Sequence, residues 1–396
     1  MIRVMEKNNI VIIDYARTPF GSFLGGLSSF PASELGALSI KGLIQKTGIK
    51  SSDVSEVIMG NVLSAGIGQA PARQAALKAG LGKSTHCMTI NKVCGSGMKA
   101  IMLAEQSIQS GNSSLVIAGG MESMSNVPHY LLNSRKGTKL GNMKQIDGMV
   151  HDGLWDVYDQ VHMGNHGEKC ADKYNLSRQA QDSYAELSYK RSQDAYEKGI
   201  FNNEIIDVFD HKGVKIDIKD EEPFRVNFEK MKNLKSVFKK DGTITAANAS
   251  TINDGAATCL LGSEKETINL GLNPKARILD SINFSHDPQW FTTAPVVAIT
   301  EILNRNNLKI DEIDLFEINE AFSVVPLAAI EELKIDIEKI NVHGGAVSLG
   351  HPIGCSGARI VMSLINALKI KNKKLGIASI CIGGGEATAM LIENII

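Results

Sequence analysis

The stretch CGSGMKA at residues 94–100 returns as GCSGARI at residues 354–360, with the central Ser-Gly pair in common and an offset of 260 residues (354 minus 94). Two further pairs of segments match at this offset: residues 115–118 with 375–378, and residues 57–61 with 317–321. Because three ungapped matches share one register, the sequence predicts two copies of one domain.

Each copy runs from a strand-like apolar segment through a turn of small residues into a helical pattern. Alternation of this kind indicates an α/β protein with layers around mostly buried sheets. The strand-like runs are residues 10–13, 57–59, 115–118, 315–318 and 376–380, and the clearest helical patterns are residues 97–109 and 357–368.

The sequence between the copies, roughly residues 124–251, has a different character. It contains a predicted helix at about residues 177–199, a second one before Cys170, and a Lys-rich stretch at residues 212–240. We interpret it as a long excursion from the first copy. Residues 246–261 are again small and apolar, which predicts a buried strand that rejoins the first domain.

Composition excludes several classes of protein. The 396 residues are too many for one ordinary core, and 43% hydrophobic and 21% charged residues are typical of a soluble globular protein. Lys plus Arg number 42 against 43 Asp plus Glu, which predicts neither a nucleic-acid nor a membrane partner. The apolar run at residues 10–13 is too short for a signal segment. Six cysteines without CxxC spacing indicate free thiols and predict a cytoplasmic location.

Cys94 lies in a small-residue turn just before a helical pattern. A thiol at a helix N-terminus meets oriented N–H groups and the positive end of the helix dipole, which favour thiolate. We therefore expect Cys94 to be substantially ionised at neutral pH. A buried structural cysteine is the alternative, but the repeat places Cys94 at a strand–helix turn, where α/β proteins bind ligands.

His351 lies in the run GGAVSLGHPIG at residues 344–354, where few side chains surround its ring. A neutral histidine is the usual base that takes a proton from a cysteine or serine. A core or capping histidine is the alternative interpretation. The glycine-rich setting favours the functional one.

Cys381 directly follows the strand predicted at residues 376–380 and precedes Gly383, Gly384 and Gly385. A thiol beside exposed N–H groups suits proton transfer next to an oxyanion hole. A phosphate-binding loop is the competing hypothesis, but no Lys-Ser/Thr pair follows and no GxGxxG pattern is present.

Asn319 follows the strand predicted at residues 315–318. It either holds a water or a substrate carbonyl, or caps the next helix. The cysteines and histidines lack paired ligand spacing, so we expect no metal. A serine hydrolase is not expected, because Gly95-Ser96-Gly97 is not a GxSxG elbow.

Together these motifs resemble the thiolase family. The resemblance begins at residues 17–21 (RTPFG) and extends over essentially the whole chain. Its most specific segments are residues 91–100, 246–250, 319–322, 344–354 and 381–385.

The resemblance implies a duplicated five-layer α-β-α-β-α fold with a loop domain inserted in the first half. This agrees with the repeat. We expect an N-terminal half at residues 1–123 plus 252–275, an inserted loop domain for CoA binding and tetramerisation at residues 124–251, and a C-terminal half at residues 276–396.

The resemblance also implies the chemistry: two acetyl-CoA condense reversibly to acetoacetyl-CoA and CoA by a ping-pong mechanism. Cys94 would be the nucleophile that becomes acylated, and His351 the base that activates it. Cys381 would exchange the α-proton of the second acetyl-CoA. Asn319, through a water, would join His351 in one oxyanion hole, and the N–H groups of Cys94 and Gly383 would form the other.

The same resemblance assigns the substrate contacts. Ser250 would contact the pantetheine. The expected nucleotide contacts are Arg225, Val226, Asn227 and Lys230, the expected acyl pocket of a short-chain member is Leu154, His162 and Met163, and the matching motifs add Ala246, Ala321 and Phe322.

CoA is then a substrate and product, so we expect no cofactor, and the family implies a homotetramer. Two other functions stay open. One is a degradative 3-ketoacyl-CoA thiolase of broad chain length. The other is an acyl-CoA or lipid-binding protein without chemistry.

Overall fold

The strands of the computed structural model, which describes residues 9–395, belong to one large sheet and three small hairpins. The strands are β1 (Ile10–Arg17), β2 (Gly21–Ser22), β3 (Val54–Gly60), β4 (His86–Ile90), β5 (Leu115–Ser123), β6 (His129–Leu131), β7 (Gln145–Asp147), β8 (Trp155–Asp156), β9 (Val161–His162), β10 (Val208–Phe209), β11 (Lys215–Ile216), β12 (Asn253–Ser263), β13 (Ala276–Ser285), β14 (Leu315–Ile318), β15 (Leu375–Ile382) and β16 (Glu386–Asn394).

The helices include the two that the repeat predicts, which are confirmed as α3 and α11, and the one predicted at about residues 177–199, which is α5. The helices are α1 (Ala32–Thr47), α2 (Pro71–Lys78), α3 (Ser96–Gln109), α4 (Met163–Tyr174), α5 (Arg178–Glu197), α6 (Phe228–Met231), α7 (Glu264–Asn269), α8 (Ala294–Arg305), α9 (Val324–Leu333), α10 (Ala346–Leu349) and α11 (Ile353–Ile370).

The large sheet contains both copies of the repeat. Its order is β14-β15-β16-β13-β1-β12-β5-β3-β4, and β1 joins the halves by pairing antiparallel to β13. In the first copy β3 and β5 are parallel neighbours, and in the second β14 and β15 are. The offset of 260 residues places β3 on β14 and β5 on β15. The predicted duplication is therefore seen as two halves with one topology.

Helices α3 and α11 form the middle layer, packed against each other and against strands of both halves. Helices α1 and α2 cover the outer face of the first half, and α8 covers that of the second. A Cβ on Gly97 would lie 2.7 Å from the backbone nitrogen of Ala358, so the middle helices touch backbone to backbone. Each half of the sheet thus forms its own layer, between the middle helices and an outer helix layer, and the predicted five layers are confirmed.

Helix α11 is apolar along its whole length for a reason internal to the fold. It is long and apolar enough to cross a membrane by length and composition, but 89% of the relevant window is buried inside the molecule. Strands of both halves and α3 surround it. The apolar sequence is explained by this burial in the core.

A long excursion leaves the sheet after β5 and returns at β12, carrying α4, α5 and α6. The strand predicted within residues 246–261 begins only at Asn253, so this prediction was wrong for residues 246–252. Asn248 accounts for the loop there, because its side chain accepts from Thr245 N (2.8 Å) and donates to Asp182 (2.8 Å). The expected domain boundaries stay a prediction.

Arg17 attaches the excursion to the first half. Its side chain is fully buried and donates to Glu204 (3.0 Å) and, through two nitrogens, to Asp220 (2.8 Å each). Buried charges are tolerated only when paired and hydrogen-bonded. Removal of the guanidinium would leave two buried carboxylates without their cation.

We expect Arg17→Met to lower the free energy of unfolding by about 3–5 kcal/mol, since one partner of a buried ionic network is lost. Urea denaturation at neutral pH measures the change. The control is Lys78→Met, which breaks the exposed pair with Glu34 and should cost about 1 kcal/mol or less. Equal small losses in both variants would contradict this role of Arg17.

Candidate active site

The turn that carries Cys94 is held in a strained conformation. Val93, a β-branched residue, has φ of +45°, in the left-handed region. The Ser96 hydroxyl accepts from Lys92 N (2.8 Å) and donates to Val93 O (2.7 Å), while Asn91 Oδ1 accepts from Val93 N (2.9 Å). These local bonds fix the turn between β4 and α3, and Cys94 lines a cavity there.

The hydrogen bonds of His351 determine its tautomer. Ring Nδ1 lies 2.6 Å from Ser356 Oγ, and that hydroxyl donates its only proton to Pro352 O (3.0 Å). Nδ1 must therefore carry the ring proton, and Nε2 keeps its lone pair. Nε2 is buried without a protein partner, and the ring lines the cavity beside Cys94. The geometry suits a proton acceptor.

Sequence reasoning missed Ser356, although the repeat contained the signal. Ser356 is the counterpart of Ser96 at the offset of 260 residues, and both serines lie in the first turn of a middle-layer helix, since α3 begins at Ser96 and α11 at Ile353. In the first copy the hydroxyl holds the turn of the nucleophile. In the second it holds the ring of the base.

Asn319 and Cys381 lie at the carboxyl ends of the parallel strands β14 and β15. Asn319 N donates to Ser379 O (3.0 Å), and Asn319 Nδ2 is buried without a partner. The Cys381 thiol is fully buried, and this burial raises its pKa well above the usual value. Cys94 lies close enough to add to the rise. The second half of the molecule thus presents an amide N–H without a protein partner and a thiol at the carboxyl ends of neighbouring strands.

Gly383 connects the Cys381 turn to the Cys94 turn. Its backbone N–H lies close enough to the Cys94 sulfur to act against the rise in the pKa of that thiol. A Cβ on Gly383 would lie 3.6 Å from Val93 Cγ1 and 3.5 Å from Met163 Cε. An N–H donor therefore lies beside the reacting thiol, where it can donate to the carbonyl oxygen of a thioester held at the sulfur.

A largely apolar cavity of about 270 Å³ brings most predicted site residues together. Cys381 and Asn319 are not among the residues that line it. The predicted residues that line it are Cys94, Leu154, His162, Met163, Ser250, Ala321, Phe322, His351 and Gly383. The other lining residues were not predicted as site residues; they are Val93, Met124, Gly153, Val237, Phe238, Ala249, Thr251, Ile252, Phe291 and Ile353.

A second cavity of about 310 Å³ shares Thr251 with the first. The predicted substrate contacts that do not line the first cavity all line the second: Arg225, Val226, Asn227, Lys230 and Ala246. The loop between the cavities is tied to the motif at residues 319–322, because Ser250 N donates to Ala321 O (3.0 Å). The two cavities therefore adjoin at Thr251, beside this loop.

Glu122 is a supporting residue that sequence reasoning did not identify. Its buried carboxylate accepts from Asn61 Nδ2 (2.7 Å) and from the backbone nitrogens of Val62 (3.0 Å), Leu63 (3.2 Å) and Gly354 (2.9 Å). Burial raises the pKa of Glu122 to about 7. It joins a loop of the first half to the start of α11.

Burial dominates the protonation state of both reacting groups. It raises the pKa of the Cys94 thiol to about 11, although N–H groups of Gly383 and of Cys94 itself act in the other direction. It also lowers the pKa of His351 to about 3, and the nearby Arg359 cation adds to this effect. The expectation of a substantially ionised Cys94 is therefore wrong, because desolvation outweighs the helix terminus. The resting pair is a neutral thiol beside a neutral imidazole.

Alkylation of Cys94 by iodoacetamide should be slow at pH 8 and keep accelerating beyond pH 9, because the thiolate fraction grows until the pH passes the raised pKa of about 11. Mass spectrometry of the Cys94 peptide across pH 7–10.5 measures the rate. A small free thiol, which levels off soon above its pKa of about 8.5, is the control. A plateau for Cys94 at or below pH 9 would refute the raised pKa.

Comparison with known proteins assigns this arrangement to a family. Residues 10–265 match the family model "Thiolase, N-terminal domain", and residues 272–394 match "Thiolase, C-terminal domain". A mitochondrial acetyl-CoA acetyltransferase of Mus musculus is 52% identical over 98% of this chain and 92% of its own length. A cytosolic acetyl-CoA acetyltransferase of Gibberella zeae is 47% identical over 98% of both chains.

A solved structure agrees with these matches. The crystal structure of a thiolase of Ascaris suum in complex with coenzyme A superposes with a TM-score of 0.93 and 44% identity, covering 98% of this chain and 100% of that one. The family predicted from the motifs is thereby confirmed. The chain belongs to the thiolase family.

Proposed function

We propose that this chain is an acetyl-CoA C-acetyltransferase, which condenses two acetyl-CoA reversibly to acetoacetyl-CoA and CoA. The observation that carries the proposal is the shared cavity in which the Cys94 thiol, the free Nε2 of His351 and the N–H of Gly383 converge. Relatives about 50% identical over nearly the full chain are acetyl-CoA acetyltransferases.

In the first half-reaction, His351 Nε2 takes the proton of Cys94 as the sulfur attacks the acetyl carbonyl of acetyl-CoA. The carbonyl oxygen becomes negative and accepts from the N–H groups of Cys94 and Gly383. The bond to the CoA sulfur breaks, and Cys381 protonates the leaving thiolate. Acetyl-Cys94, an imidazolium and a Cys381 thiolate remain, so charge balances.

In the second half-reaction, the Cys381 thiolate removes a methyl proton from a second acetyl-CoA. The enolate oxygen is stabilised by the His351 imidazolium and by a water held by Asn319 Nδ2, which has no protein partner. The enolate carbon attacks acetyl-Cys94 to give acetoacetyl-CoA. The Cys94 thiolate leaves and recovers its proton from His351, which restores the resting state.

We assign CoA to the second cavity and to the loop between the cavities. Arg225 and Lys230 supply positive charge for phosphate groups, and Val226, Asn227 and Ala246 complete the nucleotide contacts. Ser250, tied to Ala321, contacts the pantetheine arm. CoA bound in this way directs its thioester toward Cys94.

The acyl end of the cavity supports a short-chain substrate. The predicted residues Leu154, His162, Met163 and Phe322 line it, and Phe291 adds a further aromatic ring. The His162 ring stacks on Phe238 with centroids 4.7 Å apart, which fixes this wall. A rigid aromatic wall leaves room for acetyl and acetoacetyl groups and penalises longer chains.

We also propose a homotetramer and a cytoplasmic location. The relatives include both mitochondrial and cytosolic proteins. We likewise propose a division of the chain into residues 1–123 plus 252–275, residues 124–251 and residues 276–396. It is supported by the places where the chain leaves the sheet after β5 and re-enters it at β12.

Cys94→Ala should reduce thiolysis of acetoacetyl-CoA by about 10⁴-fold or more, because the covalent route is lost. Steady-state kinetics give the rate, and calorimetry should still detect CoA binding. Cys87→Ala, at a half-buried thiol on β4, is the control and should retain full activity. Undiminished turnover in Cys94→Ala would refute the mechanism, and absence of turnover in the unaltered protein would favour a binding protein without chemistry.

The substrate range separates the proposed function from that of a degradative thiolase. We expect kcat/KM for thiolysis to fall about tenfold or more from acetoacetyl-CoA to 3-ketohexanoyl-CoA, and further for 3-ketooctanoyl-CoA, since each added methylene must displace packed side chains. Thiolysis rates with all three substrates measure this. Equal values across the series would favour the degradative alternative.

A further inference from the structure

The turn at Gly383–Gly385 lacks side chains that could hold it in place. Gly384 and Gly385 have φ of +91° and +83°, and a Cβ on Gly384 would meet nothing within 4 Å. Yet Gly383 must present its N–H to the Cys94 sulfur. Glycine loses more conformational freedom on folding than any other residue, so the position of this N–H depends on what flanks the turn.

Backbone contacts hold one side of the turn. His286 N donates to Gly385 O (2.9 Å), and β15 and β16 enclose the turn as a hairpin. These contacts attach the turn to the second half of the molecule. They do not fix its distance from Cys94, which belongs to the first half.

Lys92 and Glu386 bridge this gap. Lys92 lies two residues before Cys94, Glu386 directly follows the turn, and the two side chains form a direct ion pair. Both are largely shielded, with 22% and 33% of their side chains exposed. Among the ion pairs within residues 9–395, it is the one that joins the two active-site turns.

Direct packing accompanies the ion pair. A Cβ on Gly95 would clash with Ile382 Cδ1, so the backbone of the Cys94 turn lies against the end of β15. Lys92 N also donates to the Ser96 hydroxyl that fixes this turn. A displacement of Lys92 is therefore transmitted to Cys94 on one side and to the glycine turn on the other.

We propose that Lys92 and Glu386 are positioning residues, which hold the N–H of Gly383 in register with the Cys94 sulfur across the junction of the two halves. The proposal rests on the proposed function for its kinetic readout. Neither residue contacts substrate in this account. Their effect on the reaction passes entirely through the geometry of the oxyanion hole.

The test compares Lys92→Met and Glu386→Gln with the charge-reversed double variant Lys92→Glu/Glu386→Lys. Deletion of an oxyanion-hole donor costs about 10²–10³ in kcat, so loosening one should cost about tenfold in kcat for thiolysis, with KM within about twofold. The double variant should recover most of the loss. Lys78→Met, which breaks an ion pair between the outer helices α1 and α2, is the control and should leave kcat unchanged.

A second readout does not depend on turnover. Because the Gly383 N–H stabilises the Cys94 thiolate, both single variants should slow iodoacetamide alkylation of Cys94 at pH 8 by about threefold, and Lys78→Met should not. Unchanged alkylation and kcat in the single variants would overturn the proposal, as would a double variant as impaired as the single ones. Lack of turnover in the unaltered protein would instead refute the proposed function, while the alkylation comparison still tests the ion pair.

Discussion

The backbone contact between α3 and α11 is the constraint on which the rest of the molecule depends. At Gly97 and Gly357 there is no room for a side chain, so the two central helices touch directly. Cys94 precedes the first helix and His351 precedes the second. Because equivalent helices of the two copies start side by side, residues more than 250 positions apart become neighbours (351 minus 94 is 257). Duplication thus supplies the nucleophile from one copy and the base from the other.

Close packing also determines the protonation state of the reacting groups. Removal of water raises the pKa of Cys94 and lowers that of His351, so the thiol and the imidazole are both neutral at rest. In such surroundings an N–H donor stabilises developing charge more strongly than it would in water. The protein keeps its reactive groups neutral until a thioester arrives. Fixed donors then stabilise the charges that form.

Much of this was predictable from the sequence, because the decisive signals are local. The repeat predicted the two halves, and the motifs predicted nine of the residues that line the cavity beside Cys94. Roles created by distant contacts were not predictable. Glu122 carries no local sign that its carboxylate binds Gly354 N, and nothing near Cys94 shows that burial overcomes the helix terminus. The start of β12 was placed too early because small residues around Asn248 also suit a hydrogen-bonded loop.

The central claim is that one site, built from both halves, transfers an acetyl group through Cys94. The most direct measurement exposes a Cys381→Ser variant to acetyl-CoA, quenches it in acid and maps the acetyl group by peptide mass spectrometry. We predict one acetyl group per chain, on Cys94, with no acetoacetyl-CoA released. The CoA thiolate can leave without the proton that Cys381 supplies, so acylation proceeds more slowly, whereas removal of a proton from carbon needs the Cys381 thiolate. An acetyl group on another residue, or no acetyl group on the chain, would contradict the account.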